Sequence, residues 1–167
     1  MDDVEEEGWG RTTPERVRVR AALCRKSAQQ LLKRCEVDGP PVPVEEVARQ
    51  LGFDVRVVVL PRGVDARLRL SGASRLIELA SGQARVRHRF SIAHELGHHF
   101  LGHRHGESDL AEQEANSFAS ALLVPQSWVK RDIDKFPSAA ALAERYAVSR
   151  DVIFIAAQRA RLLDRLR

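Results

Sequence analysis

The amino-acid sequence predicts an α+β fold, in which helices pack around one small, antiparallel-type sheet. Three observations predict it. Apolar residues recur at spacings of three and four across residues 14–35 and 110–123, the period of a buried helix face. Residues 54–60 (DVRVVVL) are rich in β-branched side chains, and residues 66–70 (ARLRL) alternate strictly, as strands do. The resulting order, helix–helix–sheet–helix, suits helices gathered against a small sheet rather than a repeating βαβ array.

The bulk properties agree. A chain of 167 residues suits one domain with a small appendage and can bury a core. It is 44% hydrophobic and 30% charged, and no apolar run approaches the length of a membrane span. The N-terminal MDDVEEEGWG is acidic and lacks an apolar segment, so no secretory signal is expected and the expected location is cytoplasmic. Cys24 and Cys35 do not make a disulfide framework. On one helix at about 1.5 Å per residue they would stand roughly 16 Å apart, too far for a bridge. A net charge of +4 permits nucleic-acid binding but does not require it, because both signs are interspersed.

Taken in order, residues 1–12 are expected to be a disordered acidic lead-in. Thr13, Pro14 and Glu15 read as a helix start, with proline at the first helical position of a segment running to residue 34. Its lysine- and arginine-rich outer face reads as solvated. Residues 38–43 (DGPPVP) form a rigid connector, followed by a short helix over residues 44–52. Strands follow at 54–60, 66–70 and 75–79, the last two as a hairpin. Asp109 fits an N-cap, with Glu112 completing a D-x-x-E capping box for a helix stopped by Pro125.

The last section divides into helices over residues 139–146 and 150–163, spaced like a helix-turn-helix. The second carries Ile153, Phe154 and Ile155 where a DNA-reading helix shows polar side chains. The pair is therefore expected to pack on the core or face a protein partner, and direct nucleic-acid binding is disfavoured. The expected organisation is a lead-in (1–12), a main domain (13–137) and a helical appendage (138–167).

Chemistry concentrates in residues 90–102, FSIAHELGHHFLG. His94-Glu95-Leu96-Gly97-His98 is an H-E-x-x-H pattern. On a helix, positions i and i+4 share a face, so His94 and His98 can hold one Zn²⁺ while Glu95 serves as general base. Ser91 is the expected N-cap and Gly102 the left-handed C-terminal cap. Gly97 weakens the helix, which points to a close approach by a neighbouring backbone or ligand.

Two carboxylates qualify as the third ligand. Glu112 already has a structural task at its helix start. Glu114 lies on the inward side of the same helix, one turn before Phe118, where a buried charge needs a partner. Glu114 is therefore the expected ligand. A histidine ligand six residues beyond His98 is excluded, because that position is Arg104. His99, His103 and His105 read as supporting or surface groups, and His88 as a strand or loop residue. Tyr146 and the loop histidines are the candidates for stabilising an oxyanion.

With RFSIAHELGH at residues 89–98, EANSFASALLVP at 114–125 and PVPVEEVARQLGF at 41–53, the chain resembles the ImmA/IrrE family of prokaryotic zinc metallopeptidases. The likeness covers roughly residues 41–125, with weaker support to about 163. It implies a zincin-like minimal metallopeptidase domain in which the glutamate before Ala-Asn, Glu114, is the third zinc ligand. It further implies a cytoplasmic endopeptidase that cleaves a helix-turn-helix repressor, and a match to the family's short members, without the C-terminal sensor-like domain of the longer ones. Two other readings compete. One is a catalytically silent zinc fold that binds a repressor or toxin-like partner, against which the intact HELGH counts, since binding alone needs no Glu95. The other is DNA binding through the last two helices.

Overall fold

The computed structural model describes residues 18–103 and 108–166. Among these, the elements run α1 (Ala21–Arg34), α2 (Val44–Gln50), β1 (Asp54–Val58), β2 (Ala66–Ser71), β3 (Ser74–Ala80), α3 (Arg85–Leu101) and α4 (Asp109–Leu123). Then come α5 (Gln126–Asp132), α6 (Ala139–Tyr146), α7 (Arg150–Ala160) and a final 3₁₀ turn (Leu163–Arg165). This is the expected α+β class. The expected lead-in over residues 1–12 and the helix start at Pro14 lie outside the described residues.

Helix α1 begins at Ala21, and residues 18–20 are not helical. A physical reason is visible in Arg20, whose backbone N–H donates to the Glu114 carboxylate of α4 at 2.8 Å. That amide is committed to another element, so the chain turns there before the helix starts. Cys24 and Cys35 are both free thiols.

The sheet corrects one expectation, for it is mixed rather than wholly antiparallel. Its order is β1-β3-β2, with β2 antiparallel to β3 and β1 parallel to it. After β1 the chain crosses to the far edge, forms β2, and returns through the hairpin into the middle position. Strand β3 therefore runs with β1. Its run of buried Ile77, Glu78 and Leu79 is what a central strand requires.

The register of β2 also fixes its free edge. Ala80 N–H donates to the Asp65 carbonyl at 2.9 Å, in phase with the pairs Arg67↔Glu78 and Arg69↔Leu76. Hydrogen-bonded and outward-facing positions alternate in an antiparallel pair. Ala66, Leu68 and Leu70 thus turn their backbone groups away from β3, toward the open edge.

Helix α3 starts at Arg85, ahead of the expected cap at Ser91, which instead lies buried inside the helix. Extended Ala84 precedes it, and the charged residues of its first turns continue the helix despite their polarity. His88 is consequently helical, and its Nε2 lies 2.8 Å from the Ala80 carbonyl. Buried Arg89 donates from Nε to the Ala147 carbonyl (3.0 Å) and from Nη2 to that of Val42 (2.7 Å). It ties α3 to the turn after α6 and to the connector before α2. Gly102 closes α3 at φ 72°, the left-handed cap expected of it.

The N-cap position of α4 is Ser108 rather than Asp109, and no side-chain capping bond forms there. Helix α5 was not foreseen; Pro125 ends one helix and begins the next. Helices α6 and α7 start at Ser138 and Ser149, whose hydroxyls accept from Ala141 and Val152 amides. Helix α7 ends at Ala160, short of the expected residue 163. Leu142, Tyr146 and Ile153 join the buried cluster that also contains Leu31, Leu96 and Phe118. No helix among the described residues is long and apolar enough to cross a membrane.

Asp132, at the end of α5, anchors this half of the core. It is buried, and it accepts from Arg131 Nε (2.9 Å), Arg145 Nε (2.8 Å) and the Tyr146 hydroxyl (3.0 Å). Burial pushes its pKa up, but the three hydrogen bonds outweigh that and hold it at about 2. The same burial, with the Asp132 charge beside it, pushes the Tyr146 hydroxyl upward. Because the folded pKa lies below the unfolded value, the stabilisation is present above pH about 4 and is lost as pH falls toward 2. Asp132→Asn should lower stability by about 2 kcal/mol at neutral pH. In urea titrations the gap from wild type should close as pH drops through that window.

Candidate metal centre

The site forms where α3 and α4 lie closest. A Cβ placed on Gly97 would meet the Ala115 carbonyl oxygen at 3.1 Å, the Phe118 ring at 3.1 Å and Ala115 Cα at 3.2 Å. A side chain there would force α4 or the Phe118 ring to give by a few tenths of an ångström, the close approach that the sequence led one to expect. Across the contact, His94 and His98 stand one turn apart on α3, and Glu112 and Asn116 one turn apart on α4.

The three donor groups converge. His94 Nε2 and His98 Nε2 are 3.0 Å apart, and each lies 3.3 Å from a Glu112 carboxylate oxygen, Oε2 and Oε1 respectively. Taking one donor atom from each residue, all three lie within 4.8 Å of one another. A tetrahedral ion about 2.0–2.1 Å from its ligands sets those ligands about 3.3 Å apart. Two imidazoles and a carboxylate at this separation fit a divalent zinc-like ion. Asn116 completes the α4 side: His94 Nδ1–H donates to its Oδ1 at 2.9 Å, which turns the Nε2 lone pair toward the donor cluster.

Glu114, the ligand expected from the sequence, is not brought to this cluster; Glu112 of the same helix stands there instead. The Glu114 carboxylate accepts from the Arg20 backbone N–H (2.8 Å) and from Arg20 Nε and Nη2 (2.9 and 2.6 Å). It also accepts from His103 Nε2 (3.1 Å). A buried carboxylate did need a partner, but arginine from α1 supplies it. Those Arg20 hydrogen bonds, chiefly, hold its pKa at about 2 against the effect of burial. Glu112 is not held by the expected capping box, for the N-cap of α4 is Ser108, with no side-chain capping bond.

Glu95 is buried beside His94 and lines the same cleft. Burial pushes its pKa up to about 7; the Glu112 charge adds to the rise, and a hydrogen bond from the Leu68 N–H opposes it. That amide is one of the outward-facing groups of β2. The cleft, about 850 Å³, is also lined by Val64, Ala66, Leu68, Leu70 and Phe90. His99 packs edge-on against Phe53 with ring centroids 5.1 Å apart. Tyr146 is buried against Asp132 and does not line the cleft, so it drops out as an oxyanion group. His105 lies outside the described residues. Asn116 was missed by sequence reasoning, although its one-turn spacing from Glu112, matching the histidine pair, was a usable signal.

A helix bearing H-E-x-x-H, set against a second helix that supplies a carboxylate, defines a metallopeptidase-type domain. The family model for the IrrE N-terminal-like domain, a peptidase family, matches residues 48–157, and the chain belongs to that family. Among curated proteins none matches the sequence. A solved structure of a Mycobacterium tuberculosis transcriptional regulator shares the fold with a TM-score of 0.59. It is 18% identical and covers 78% of this chain and 45% of that one, so this chain spans under half of the regulator's length.

Two outcomes test the geometry. Glu112→Ala should weaken Zn²⁺ binding by more than the roughly 10–100-fold typical of losing a supporting residue, as read by calorimetric titration. Gly97→Ala gains about 1 kcal/mol of helix propensity but overpacks the contact by about 1–3 kcal/mol. It should lower both the melting temperature and metal affinity, because Glu112 and Asn116 ride on the displaced helix.

Proposed function

We propose that this protein is a cytoplasmic zinc-dependent endopeptidase acting on a protein substrate, a helix-turn-helix transcriptional repressor. His94, His98 and Glu112 would hold Zn²⁺. When bound there, the ion supplies a Lewis acid that polarises the scissile carbonyl and lowers the pKa of a water. Glu95 takes the proton from the attacking water and delivers it to the leaving amine. A carboxyl pKa near neutrality suits a group that must do both. The peptide lies along the open edge of β2, pairing with the outward backbone groups of Ala66 and Leu70 as an added strand.

The observation that carries this reading is the convergence of His94, His98 and Glu112 in a cleft that Glu95 shares. A silent binding module would have no use for Glu95, since binding alone needs no general base and burying a carboxyl is costly. DNA binding through α7 is opposed by Phe154 and Ile155, both exposed on that helix. The repressor as substrate follows from the resemblance to the ImmA/IrrE peptidases. The occurrence of the fold in a transcriptional regulator agrees with a role in gene control.

The test is co-expression with repressors encoded beside its gene. Wild type should fragment its target, while Glu95→Gln should keep its zinc and cleave about 10²–10⁴-fold more slowly. Cleavage by Glu95→Gln at the wild-type rate would overturn the assignment of the base.

A further inference from the structure

Behind His98, a second line of polar groups leads away from the donor cluster. His98 Nδ1 lies 3.1 Å from His103 Nδ1, His103 Nε2 lies 3.1 Å from Glu114 Oε2, and Glu114 is gripped by Arg20. The His103 side chain is 5% exposed and that of Glu114 is 2% exposed, so water does not take either partner's place. We propose that His103 and Glu114 are positioning residues for the metal centre: they fix the tautomer and orientation of His98, and Arg20 locks the far end of the line. The inference rests on His98 being a metal ligand, as read above.

The hydrogen bonds along this line run in one direction. Glu114, ion-paired with Arg20, offers only acceptors, so His103 donates from Nε2. With Nε2 donating to Glu114, the Nδ1 lone pair of His103 is left to accept. His98 must donate from its Nδ1, and its Nε2 lone pair faces His94 and Glu112. Asn116 does the same for His94 in a single step. The two imidazoles are thus set by different means, one from α4 directly and one through the loop after α3. The second route also joins the site to the start of α1, through Arg20.

The test uses the full chain and Co²⁺ alone as probe, read by the visible absorption of the bound ion, alongside thermal melts of each apo variant. His103→Ala and Glu114→Gln should each weaken Co²⁺ binding about 10–100-fold and alter the band shape. The double variant should be no weaker than the worse single one, because both act through one line. His103→Asn, whose amide can reach His98 but not Glu114, should recover part of the loss. Co²⁺ affinity and spectra equal to wild type in His103→Ala and Glu114→Gln, whatever their melting temperatures, would overturn the proposal and leave the metal site standing. A wild-type protein that binds no Co²⁺ would remove the metal site and this inference together.

Discussion

Helices α3 and α4 meet backbone to backbone at Gly97, with no side chain between that residue and Ala115. The rest of the site follows from this contact. At the ordinary 8–10 Å between packed helix axes, separation depends on the side chains at the crossing. A glycine there lets two short donor groups, an imidazole from one helix and a carboxylate from the other, reach the same point. Leu96, Phe118, Ala119 and Leu122 are fully buried and hold the pair together. The chemistry sits at the rim of this apolar contact and depends on it.

Much of this could be read from the residues. The histidine pair, its glutamate and the terminal Gly102 are local signals, each carried by a few neighbouring positions. The mixed sheet was less legible, because whether β1 joins β3 parallel or antiparallel depends on where the chain crosses between residues 59 and 65. That is a tertiary matter that no strand's own pattern encodes. Helix α5 was hidden by Pro125, which reads as a stop but also makes a good helix start.

Glu112 and Glu114 show where reasoning from burial alone reaches its end. Burial was correctly inferred for Glu114, along with its need for a counter-charge. The partner lay in Arg20, 94 positions away in sequence. Glu112 is half exposed, and its carboxylate faces the cleft beside His94 and His98. On α4, Glu112 and Asn116 stand one turn apart and oppose His94 and His98, one turn apart on α3.

The alternation of backbone groups along β2 carries a consequence for whatever chain lies against it. Only every second residue of that edge offers its amide and carbonyl outward, so an incoming strand can shift along it in steps of two residues but not of one. A one-residue slip would turn every side chain of the guest to the opposite face. That edge therefore constrains a guest strand by phase as well as by shape.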